Sequence, residues 1–131
     1  MVMEAVMELR DAALMLAGAI GCGVAVVHGV LTQRLMVAPV ARLTGDALSP
    51  PIRRLVPLLL HYSTVAWLVG GLALLAASRI ASPGARLAIG ALVGLSYIFA
   101  AAGNAWATRG RHPGWMLMAL AVALTAYGVK Q

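Results

Sequence analysis

Residues 55–77 read LVPLLLHYSTVAWLVGGLALLAA, a run without formal charge at neutral pH, bracketed by Arg53 and Arg54 before it and Arg79 after it. Wound as an α-helix at 1.5 Å per residue it extends roughly 34 Å, enough to cross a hydrocarbon core of about 30 Å. The stretch therefore reads as a transmembrane helix with cationic anchors at both headgroup layers. Outward from it, the apolar runs at 12–31, 87–107 and 113–129 read the same way. The expected fold is an all-α integral membrane four-helix bundle, a single domain over residues 1–131 with one long polar loop at 32–54.

Composition supports that class. Hydrophobic residues make up 62% of the chain and charged residues 11%, against about 25% charged in a soluble domain, and a water-soluble fold could not hide so much apolar surface. The net charge of +6 does not point to nucleic acid, because the cations stand singly or in pairs at the ends of apolar runs and form no groove-binding cluster. The expected partner is the lipid bilayer, with other membrane subunits or a homo-oligomer as further candidates. Cys22 is the only cysteine, so no intrachain disulfide forms. A leading segment carrying Glu4, Glu8 and Asp11 is too acidic for a cleaved signal peptide. Met1, Met3 and Met7 read as lipid-facing thioethers rather than a copper(I) site. Asp46 is the only acid after Asp11, so paired-carboxylate chemistry and a Ser-His-Asp triad have no parts here, and no Gly-rich loop has phosphate-cradle spacing.

Helical periodicity marks the faces expected to pack. Leu14, Gly18, Gly21, Ala25 and His28 fall at alternating steps of four and three residues, as do Gly90, Gly94, Tyr97, Ala101 and Asn104. His61, Thr64, Leu68 and Gly71 continue the pattern on the second span, and Ala119, Ala123 and Ala126 on the fourth. Small residues on such faces let membrane helices approach closely. Ser82 followed by Pro83 predicts an N-cap and a proline at the first helical position, and Pro57 sits well if its helix starts near Arg53. A break is expected before Pro39, with a short surface helix near residues 40–48.

His28, His61 and Asn104 each lie five to seven residues inside a charged end, roughly 7 to 11 Å from one boundary. They predict a polar belt on the same level, with Thr64 and Tyr97 as further members and His112 at the boundary. Ionisable groups at membrane depth are functional candidates. Two readings remain open: the belt glues helices together through hydrogen bonds, or His28 and His61 are paired ligands. The ligand reading takes a b-type haem, with Arg34 and Arg54 near its propionates, or a copper or zinc ion. A non-enzymatic accessory or assembly subunit and an oligomeric small transporter are the alternatives.

Leu60, His61, Trp67, Gly70 and Gly71, written LHYSTVAWLVGG, resemble the L-H-x5-W-x2-G-G element of bacterial four-helix membrane families of the copper-resistance D-like and protoporphyrinogen oxidase J-like types. More broadly the chain resembles small four-helix inner-membrane proteins of bacteria. The resemblance covers one span and implies a bundle handling copper or haem, with His61 as ligand. The oxidase type is expected to use a lysine inside a later span, whereas the sole lysine here is Lys130, which argues against that activity. Arg34, Arg42, Arg53, Arg54, Arg109 and Arg111 are six of the ten cations, and by the positive-inside rule they predict a cytoplasmic long loop, with both termini on the other side.

Overall fold

A computed structural model describes residues 1–45, 47–79 and 82–130. It is an all-α bundle. Helix α1 (Val2–Thr32) runs through a π-helical turn (Gln33–Val37) into α2 (Ala38–Thr44), and α3 (Pro50–Ala77), α4 (Pro83–Thr108) and α5 (Gly114–Gly128) follow. The continuous helix Val2–Thr44, α3 and α4 are each long and apolar enough to cross a membrane. Their outward faces carry Leu58, Val65, Leu92 and Phe99, all more than half exposed, which places apolar side chains where lipid tails lie. Helix α5 has 15 residues, about 22 Å, shorter than the run at 113–129 suggested.

The long loop is mostly helix. Pro39 does not end the first helix, because the π turn precedes it: Ala38 N–H bonds to the Gln33 carbonyl five residues back, and the widened turn carries the chain past a ring that would crowd a regular α turn. The non-helical link shrinks to 45–49, where Gly45 turns at φ +44° and Asp46 lies outside the described residues. Helix α3 begins at Pro50, so Pro57 falls inside it and removes one helical hydrogen bond. Ser82 and Pro83 take the expected N-cap and first positions, yet the serine side chain makes no capping bond.

The four long helices form a ring in which α1 packs on α3 and α5, and α4 packs on α3 and α5. The core joins Leu14 and Ala17 of α1, Trp67 and Leu74 of α3, Tyr97 of α4 and Ala121 of α5. Near the ends of α1 and α5 the ring is tight: a Cβ on Gly128 would lie 2.6 Å from Leu14 and 3.0 Å from the Arg10 carbonyl. There, across the diagonal, Asp11 of α1 pairs with Arg86 of α4.

One of the expected faces is met in part and another is rotated. On α3 the buried stripe is Trp67, Gly70, Gly71, Leu74 and Ala77; Gly71 is buried and His61 and Thr64 half-buried as expected, while Leu68 is exposed and the neighbouring Trp67 is buried instead. On α5, Ala119, Ala123 and Ala126 are exposed, and Met118, Ala121, Thr125 and Gly128 are buried instead. That helix is apolar all round, so hydrophobicity could not choose its face.

Candidate functional site

Toward the ends of α1 and α4 the ring opens into a cavity of about 500 Å³. One wall is α1 from Gly23 to Thr32, continuing through Leu35 and Met36 of the π turn; the others are Trp67 of α3, Ala100 to Thr108 of α4 and the start of α5. Val27, Leu35, Met36 and Leu117 line it and are 46 to 68% exposed, so it opens sideways to lipid. Its size lies within the range of small-molecule sites, about 300 to 1,000 Å³.

The turn between α4 and α5 sets the polar end. Arg109 caps α4 in the left-handed region at φ 51°, Gly110 follows at φ 74°, and Gly110 N–H bonds back to the Ala105 carbonyl at 2.8 Å. This sharp reversal brings His112 under the end of α4, where its backbone N–H donates to Thr108 Oγ1 at 3.4 Å. Thr108 Oγ1 in turn donates to the Asn104 carbonyl at 2.7 Å. His112 Nδ1 accepts from Gly114 N–H at 3.1 Å. Asn104 lines the cavity, and its Oδ1 is buried without a hydrogen-bond partner among the described residues.

His28 is on the cavity wall, its ring tilted 47° against Trp67 with centroids 4.3 Å apart. Its Nε2 sits 3.0 Å from Ser63 Oγ and 3.3 Å from Thr32 Oγ1. His61 does not line the cavity; its Nε2 is 3.0 Å from Gln33 Oε1, a contact the π turn helps to set by placing Gln33 beside α3. Each imidazole is thus bonded to the opposite helix across the α1–α3 seam, with its own partner. Ligating one metal through both Nε2 atoms would require each to leave that partner, and only one ring borders space large enough for a macrocycle. The residues present therefore do not fit a haem held by this pair. Among the described residues no group of three or more His, Cys, Asp or Glu gathers that could hold a metal ion.

The other expected belt members separate. Thr64 lies in the seam, its Cγ2 set so that a Cβ on Gly29 would come within 2.8 Å, and its Oγ1 is buried and unpartnered among the described residues. Tyr97 lies roughly 18 Å inside Arg109, below the belt, and donates its hydroxyl hydrogen to the Trp67 carbonyl at 3.2 Å. Its ring fills the notch left by Gly21 and Gly70, a packing role. Arg34 and Arg54 are exposed and neither lines the cavity. Spacing did not single out Trp67, Gln33, Thr32 or Gly114 for the site. Trp67 was legible only as part of a one-span resemblance, and Gln33 needed the π turn, which no pattern in the sequence announces. Comparison with protein-family models, curated proteins and solved structures finds no match to this chain, so the site stands on its geometry.

Proposed function

We propose that this protein is a membrane-embedded binding protein whose cavity shelters a lipid-soluble molecule entering sideways from the bilayer. The observation that carries this is the cavity of about 500 Å³, walled largely by aliphatic side chains and open where Val27, Leu35 and Leu117 are exposed. An apolar space of this size facing lipid tails gains nothing by excluding an apolar guest. His28 has a structural part in this reading: with Trp67, Ser63 and Thr32 it stiffens the wall between α1 and α3, through polar contacts of the kind worth about 0.6 kcal/mol each in membrane helices.

Gly23→Phe tests it. Gly23 lines the cavity and is exposed, and a Cβ there meets nothing within 4 Å, so the site accepts a side chain at its first atom and the ring is expected to obstruct the cavity from its open side. The variant should keep the wild-type thermal midpoint to within a few degrees and lose the lipid-soluble species that mass spectrometry detects in organic extracts of the purified wild type. Equal content in both preparations would sink the reading.

In the same reading the protein lies in the inner membrane of a bacterium with the link between α2 and α3 on the cytoplasmic side, and what supports this is the six arginines at that end of the helices. Alkaline phosphatase fused after Lys130 should be active and green fluorescent protein at the same place dark. Insertion between Ala47 and Leu48 should give the reverse. The opposite pattern would invert the orientation.

A further inference from the structure

The cavity is a groove that runs along the bundle. Gly23, Val27, Leu31 and Leu35 line it at four-residue steps along α1 and the π turn, and α4 faces them from Ala100 to Thr108. From Gly23 to Met36 the lined face extends about 20 Å along the helix axis, which in a membrane is the direction of the acyl chains. A volume of about 500 Å³ over that length leaves a mean cross-section of about 25 Å². That is room for one polymethylene chain lying beside the helices, and the exposed Val27, Leu35 and Leu117 keep its side open to the bilayer.

Charge is confined to one end of this groove. No lining side chain is a lysine, arginine or carboxylate, but Arg34 stands in sequence between the lining Thr32 and Leu35, Arg109 directly follows the lining Thr108, and Arg111 directly precedes the lining His112. All three arginines are exposed, and none is paired with an acid among the described residues. Cations at such a helix end hold their charge in the headgroup layer while their stems lie against apolar surface, so the groove runs from an apolar floor to a mouth that attracts negative charge. Resting on the proposed sheltering of a lipid-soluble molecule, we infer that the occupant is an anionic phospholipid of the leaflet at the arginine-rich end. One acyl chain lies in the groove with its methyl end toward Gly23, and the phosphate stands at the level of Arg34, Arg109 and Arg111. The second chain stays in the bilayer through the open side, so the lipid never leaves its leaflet.

Photo-crosslinking of the full chain in phosphatidylcholine vesicles tests this with trace phosphatidylglycerol, phosphatidylcholine and free fatty acid that carry the same diazirine near the methyl end of one chain. Val24 and Phe99 make the comparison, since they lie equally far in sequence from Arg34 and Arg109 while Val24 lines the groove and Phe99 faces outward. Phosphatidylglycerol is expected to label Val24 about tenfold more than phosphatidylcholine at equal mole fraction, each arginine near an anionic head being worth roughly fivefold before screening, and to discriminate far less at Phe99. Moving the diazirine next to the ester should move the label from Val24 to Leu35 and Met36. Arg34→Gln with Arg111→Gln, which leaves four of the six arginines at that end to hold the topology, should bring the ratio at Val24 to within about twofold of parity. Equal labelling of Val24 by phosphatidylcholine, stronger labelling by the fatty acid, or a ratio unmoved by the two substitutions would overturn the anionic-phospholipid assignment and leave the sheltering reading to its own test with Gly23→Phe. If no probe labels Val24 while extracts still hold a species that Gly23→Phe loses, the guest is not a phospholipid and only this inference falls; if the extracts also match, both fall.

Discussion

Gly71→Ala is expected to destabilise the purified protein by about 3 kcal/mol, the upper end of overpacking penalties, seen as a large fall in the temperature at which the monodisperse elution peak in detergent is lost. A Cβ on Gly71 would lie 2.7 Å from the Gly18 carbonyl oxygen and 2.8 Å from the Cys22 nitrogen. These are backbone atoms of α1, so relief requires the two helices to move apart along their whole seam. Gly18→Ala meets the Gly71 carbonyl at 2.6 Å and should act alike. Because both push on one contact, the double variant should fall well short of the sum. Gly94→Ala is the control. Gly94 is buried, yet a Cβ there meets nothing within 4 Å, and replacing a helical glycine favours the helix by about 0.5 to 1 kcal/mol. A fall with Gly94→Ala as large as with Gly71→Ala would show that seam distance is not what the glycines provide.

That contrast also shows where the sequence was readable. The face through Leu14, Gly18, Gly21 and Ala25 is buried throughout, because long helices with one small-residue stripe have a single tight way to pack. The same reasoning marked Gly90 and Gly94 as a pair, but only Gly90 meets a neighbour, Val129; a spacing reveals which residues share a face and not what stands opposite. The polar level of His28 and Asn104 was legible as depth below the arginines, and both line the cavity. The separate partners of His28 and His61, Ser63 and Thr32 for the one and Gln33 for the other, were not legible. Depth fixes one coordinate of a side chain, whereas partnership depends on its angle around the helix and on local rewinding, here the π turn that presents Gln33 to His61.

Asp11→Ala is the second large effect, with an expected loss of about 3 kcal/mol. The substitution strands Arg86, whose side chain is 13% exposed while that of Asp11 is 38% exposed. Arg86 Nε is already buried without a partner among the described residues, so the remaining guanidinium has little to turn to. Replacing both residues, Asp11→Leu with Arg86→Leu, should recover most of the loss, since the penalty belongs to an unpaired buried charge rather than to a missing attraction. Thermal midpoints of the two variants decide it. A double variant no better than Asp11→Ala would mean that the pair itself holds the ring closed.

The ring has a temporal consequence. Its seam between α1 and α5 joins Arg10 and Leu14 to Gly128, residues more than a hundred positions apart in the chain. At ribosomal speeds of roughly 5 to 20 residues per second, the α1 surface awaiting α5 faces lipid or a chaperone for several seconds after it is made. The α1–α3 hairpin can already form during that interval. The cavity cannot, because part of its wall is the start of α5; it comes into being only when that helix docks, so a nascent chain halted before Gly114 carries the histidines and the tight glycine seam but has no room for a guest.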